Sequence, residues 1–103
     1  MINELMSFLD NSRTAFNGTR NIENRLKENG YLKLEEYESF NVEKGGRYYI
    51  VRNNSSILAF NIGEKLDEPS LHLCASHSDC PGFKLKPNAL IKTEAGVKLN
   101  VEP

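Results

Sequence analysis

His77 and Asp79, two positions apart in Ser76-His77-Ser78-Asp79-Cys80-Pro81, are the residue types best able to do chemistry in this sequence. An imidazole can give one nitrogen to a metal ion while a hydrogen bond holds its other N–H. A carboxylate two residues on can bind the same ion, orient the histidine, or support a catalytic group. Zinc accepts both donor types, and a catalytic zinc site keeps one position open for water. As a bare spacing, however, His-x-Asp is a short pattern that a hydrogen-bonded loop histidine also satisfies.

Two other chemistries draw on the same segment. His72, Cys74, His77 and Cys80 put four nitrogen or sulfur groups within nine residues. A closed structural zinc site uses such donors. Against it, His72 and Cys74 share one face of a strand-like run, whereas His77 and Cys80 lie past its end. Cys80 could instead be a nucleophile with His77 as its base, but no third residue is evident to orient the pair. The plain alternatives are Cys74 and Cys80 as small buried hydrophobes and His72 as a packed strand histidine.

The elements that must position these groups are readable from periodicity. Leu71 to Ser76 is a short apolar run bounded by turn residues, which predicts a buried strand. His77 then leaves the carboxyl end of that strand, the place where open α/β sheets bind ligands. Pro81-Gly82 predicts a turn. Upstream, Arg47 to Arg52 and Ser56 to Ile62 predict two strands joined at Asn53-Asn54, residues that tolerate the left-handed backbone of a tight hairpin. Tyr48, Tyr49 and Phe60 read as strand core, because no cationic groove accompanies them as a base-stacking surface would require. Leu90 to Lys92 and Val97 to Val101 predict two more strands around Glu94-Ala95-Gly96. Ile2, Leu5, Met6 and Leu9 predict an amphipathic helix over 2–11, broken by Ser12-Arg13-Thr14. A second helix is predicted over 19–29, with Ile22 and Leu26 inward, Gly30 as its left-handed cap and Tyr31 folding back on Leu26. Glu35, Glu36 and Glu38 read as solvated surface.

Composition narrows the function classes. The chain of 103 residues suits one small domain. Its 13 basic and 14 acidic side chains leave a net charge of −1, which argues against nucleic acid or an anionic membrane as partner. No apolar run approaches the roughly 18 residues of a membrane span. The N-terminus lacks a signal-peptide pattern. A cytoplasmic location is therefore expected, with both cysteines as thiols. The final strand pair has no following helix to cover it, so a piece of a larger protein is expected.

Residues 73–88 (LCASHSDCPGFKLKPN) resemble the first metal-ligand motif of the aspartyl-aminopeptidase family. That family has a small residue, His, Thr or Ser, Asp, Ser, Pro, then an apolar–basic run ending in Lys-Pro. Residues 5–16 (LMSFLDNSRTAF), 21–30 (NIENRLKENG) and 45–60 (GGRYYIVRNNSSILAF) are similar to its opening helix and break, second helix and first hairpin. The departures are Ala15 for proline, Asn17 for histidine, Ser78 for the commoner threonine and Cys80 for serine. They bear on substrate preference, in which members differ.

The resemblance implies an α/β fold with two N-terminal helices packed on a small mixed sheet, part of a three-layer α/β/α zinc-peptidase domain. It implies that residues 1–89 are the N-terminal part of a catalytic metallopeptidase domain and that 90–103 begin an inserted β-barrel-like oligomerisation domain. It implies an aminopeptidase that removes N-terminal residues from peptides with free N-termini through a water activated by two metal ions, Zn2+ or another divalent metal. It further implies a homo-oligomer. His77 would be a metal ligand, and Asp79 a catalytic carboxylate that orients it. The remaining ligands and the glutamate base would lie outside residues 1–103, so this chain alone is expected to be inactive. The rival class is a non-enzymatic α/β interaction module, with or without the structural zinc.

Overall fold

The computed structural model describes residues 1–68, 70–79 and 81–103. The helical spacing of Ile2, Leu5, Met6 and Leu9 produces α1 (Ile2–Asp10). Helix α2 (Ala15–Glu28) starts at Ala15, earlier than the predicted residue 19. The reason is its cap. Thr14 is extended, with φ −129° and ψ 162°, and its Oγ1 accepts the Asn17 N–H at 3.2 Å. One otherwise unpaired donor of the first turn is thereby satisfied, so the helix can begin there. At the other end Gly30 has φ 82°. The Tyr31 N–H donates to the Leu26 carbonyl at 3.0 Å, and the Gly30 N–H to the Lys27 carbonyl at 3.1 Å. This paired closure is the expected glycine cap.

Three strands, β1 (Leu32–Lys33), β2 (Arg47–Arg52) and β3 (Ser56–Asn61), form a sheet in that spatial order. β1 is parallel to β2, and β2 is antiparallel to β3. The sheet is therefore mixed, and with the two helices the unit is α/β, as the sequence predicts. Asn53 and Asn54 both have positive φ, 53° and 54°. The Ser55 N–H closes the turn on the Arg52 carbonyl at 3.2 Å. Two successive left-handed residues match the right-handed twist of the flanking strands.

The core is small. Tyr49 and Tyr48 are neighbours on β2 and so point to opposite faces; they are 0% and 5% exposed. Tyr49 faces α2, where the Glu23 carboxylate lies close enough to act on its phenol. Tyr48 lies on the other face, paired across the ladder with Phe60 at a ring separation of 5.8 Å. Its hydroxyl accepts the Glu43 N–H at 2.9 Å. Gly18 and Thr19, the latter 2% exposed, add to the buried set from α2.

The predicted strand over 71–76 is absent. Leu71 and Leu73 are exposed, and so are His72 and Cys74, which corrects their reading as packed or buried residues. An apolar run becomes a strand only when a neighbour supplies ladder partners. Among the described residues no backbone hydrogen bond reaches 71–76.

The final hairpin is longer than predicted. β4 (Lys84–Thr93) and β5 (Gly96–Glu102) pair from Lys84↔Glu102 to Thr93↔Gly96. Pro87, which cannot donate to a ladder, lies where the register shifts between Leu85 and Leu90. The radius of gyration is 19.8 Å, against about 13 Å for a compact chain of this length. Much apolar surface is uncovered, including Leu5 and Leu9 on α1 and Leu90 and Leu99 on the hairpin.

Candidate metal centre

His77, Ser78 and Asp79 lie in the irregular segment that follows the apolar run. The structure brings the two candidate residues together. His77 Nδ1 is 2.7 Å from the Asp79 carbonyl oxygen and 3.3 Å from Asp79 Oδ1. A carbonyl oxygen only accepts, so Nδ1 carries the proton and donates. In the neutral imidazole the lone pair is then on Nε2. The side chains of His77 and Asp79 are 79% and 82% exposed. Water screens an ion pair at that exposure, so the pairing orients the ring more than it stabilises the fold.

Ser78 supplies the anchor. Its hydroxyl donates to the Ser55 carbonyl in the β2–β3 turn at 2.8 Å. Its own carbonyl oxygen lies 4.0 Å from where a Cβ at Gly18, a buried residue of α2, would stand. No feature of spacing or periodicity marks Ser78 as a contact to Ser55. The one available signal is that serine shares its β-hydroxyl with the threonine commoner in the resembled family.

The competing metal set is not assembled among the described residues. No group of three or more His, Cys, Asp or Glu side chains gathers there. Cys80, needed for both the structural-zinc and the nucleophile readings, lies outside the described residues.

Residues 8–103 match the family described as "Aminopeptidase I zinc metalloprotease (M18)". The chain belongs to the M18 family. The M18 relatives include a "Probable M18 family aminopeptidase 2" of Clostridium novyi (strain NT), 38% identical over 102 residues. That match covers 97% of this chain and 24% of the relative. A protein of the same description from Ectopseudomonas mendocina (strain ymp) is 37% identical over 103 residues, covering 99% of this chain and 24% of its own length. The M18 chain thus spans about a quarter of these relatives. Its fold is similar to one in a cryo-EM structure of the Ape4 and Nbr1 complex, with a TM-score of 0.82, 29% identity, and coverage of 96% of this chain and 19% of that one. It is also similar to Chaetomium thermophilum mApe1, with a TM-score of 0.75, 27% identity, and coverage of 95% and 24%. The M18 description names zinc, and the donor chemistry here fits it in part. A largely exposed imidazole whose Nδ1–H is hydrogen-bonded is, in its neutral form, a suitable zinc ligand through Nε2, while a catalytic zinc needs three protein ligands.

Proposed function

We propose that this chain is the N-terminal part of a cytoplasmic metalloaminopeptidase that removes N-terminal residues from peptides. In this reading His77 holds a metal ion through Nε2, and Asp79 fixes the ring and supports catalysis. The observation that carries it is the Nδ1 contact to Asp79, which in the neutral ring puts the lone pair on Nε2 of a largely exposed side chain. Two bound metal ions would supply polarisation of the scissile carbonyl and acidification of a water. The chain's own part is to hold the imidazole in one tautomer and one direction, and to bring a carboxylate beside it.

The rest of the proposal concerns what surrounds this unit. Residues 1–89 belong to the catalytic domain, and residues 90–103 open an inserted oligomerisation domain that makes the whole protein a homo-oligomer. The exposed apolar side chains of α1, of 71–73 and of the β4–β5 hairpin support a larger packed body around this unit. The catalytic sheet would supply the ladder partner that 71–76 lacks. One histidine and one aspartate do not complete a two-metal site, so the 103-residue chain is inactive by itself.

The test is hydrolysis of aminoacyl chromogenic substrates with zinc present. The full-length protein should turn them over, its His77→Ala variant should lose metal and turnover together, and the 103-residue chain should show none. Full turnover by His77→Ala would overturn the assignment of the ligand. Turnover by the short chain would overturn its incompleteness.

A further inference from the structure

We infer that Ser78 is a positioning residue that clamps the His77–Asp79 loop onto the β2–β3 turn. The inference rests on the proposed role of His77 and adds a residue to it. Residues 70–79 have no regular structure, and their side chains are exposed. Among the described residues, one hydrogen bond joins this segment to the helix–sheet unit: Ser78 Oγ to the Ser55 carbonyl, 2.8 Å, across 23 positions of sequence. The His77–Asp79 contact is internal to the loop, so it sets the ring relative to the loop but not the loop relative to the fold. Ser78 supplies that second restraint.

The acceptor is itself held. Ser55 follows two left-handed residues, Asn53 and Asn54, and its N–H is bonded to the Arg52 carbonyl at 3.2 Å. The Ser56 hydroxyl also donates to Arg52, at 3.2 Å. The turn therefore presents the Ser55 carbonyl in a fixed direction. The Ser78 backbone also passes beside α2, its carbonyl oxygen 4.0 Å from where a Cβ at Gly18 would lie. A side chain placed by both restraints spends less of its binding free energy on ordering the loop.

The experiment uses the full-length, metal-stripped protein, with zinc affinity read by chelator competition. Ser78→Thr keeps the hydroxyl, and Ser78→Val has nearly the shape of threonine without it. The valine variant should bind zinc about 10–100-fold more weakly, as removal of outer-shell partners does, and the threonine variant should match the unmodified protein. A glycine inserted between Asn54 and Ser55 moves the acceptor. It should weaken zinc binding in the unmodified protein and add nothing in Ser78→Val, the non-additivity of one shared contact. Equal affinity of the valine and threonine variants, with His77→Ala abolishing binding, would overturn the clamp alone. Undiminished binding by His77→Ala would overturn the metal reading and the clamp with it.

Discussion

His77 Nδ1 lies closer to the backbone carbonyl of Asp79, at 2.7 Å, than to its carboxylate, at 3.3 Å. The tautomer of the ring is therefore set by a group that no side-chain substitution at position 79 removes. The carboxylate adds negative charge beside the ring.

Asp79→Asn should accordingly keep the imidazole in the same tautomer while losing that charge. In the full-length protein zinc affinity should fall about tenfold, the lower end of outer-shell effects, and turnover should fall further if the carboxylate is catalytic. Chelator competition and steady-state kinetics on one preparation separate the two. Unchanged turnover would remove Asp79 from the chemistry.

Gly46→Ala should destabilise the fold. A Cβ at position 46 would come within 2.7 Å of Tyr48 Cζ. Tyr48 cannot easily yield, because its ring is buried against Phe60 and its hydroxyl holds the Glu43 N–H. Overpacking of this kind costs about 1–3 kcal/mol. It should appear as a lower urea midpoint at unchanged slope. Gly82→Ala, where an added Cβ meets nothing within 4 Å, is the control and should leave the midpoint in place.

Thr14→Ala should lower stability by about 1 kcal/mol through loss of the α2 cap. Thr14→Ser, which keeps the oxygen that accepts the Asn17 N–H, should retain most of it. Equal midpoints for the alanine and serine variants would show that the cap contributes nothing.

Tyr49 should shape the alkaline limb of stability. Burial raises its phenol above the ordinary tyrosine value, and the Glu23 charge pushes the same way. Among the described residues the hydroxyl has no hydrogen-bond partner of good geometry, although that carboxylate is close enough to act on its charge. A group whose folded pKa is raised contributes stability below its unfolded pKa and loses it as pH rises towards the folded one. The loss should therefore begin near pH 10, roughly the unperturbed tyrosine value. Tyr49→Phe should flatten that decline in urea titrations across alkaline pH.

Local signals were legible where a residue acts on its immediate neighbours. Gly30 ends α2 because the left-handed region costs glycine little, and Asn53-Asn54 turns the hairpin for a related reason. The strands Arg47–Arg52 and Ser56–Asn61 follow from their β-branched and aromatic residues. The early start of α2 was less legible, because Thr14 caps a helix whose first turn carries Phe16 and Gly18 rather than a periodic apolar face. β4 runs through Pro87 because a shift of register at that point excuses its missing donor.

The sequence by itself determined the helices and the first hairpin, which rest on residue type and short spacing, and the family, which rests on motifs along most of the chain; it named His77 and Asp79 as candidates. It also suggested a strand over 71–76, but strand pairing is a non-local transaction between backbones, and the described residues offer that run no partner. Only the tertiary structure decided that Ser78 reaches a turn 23 positions away and that both side chains of the pair stand in water. Those facts depend on where the chain returns in space, which spacing along it does not encode.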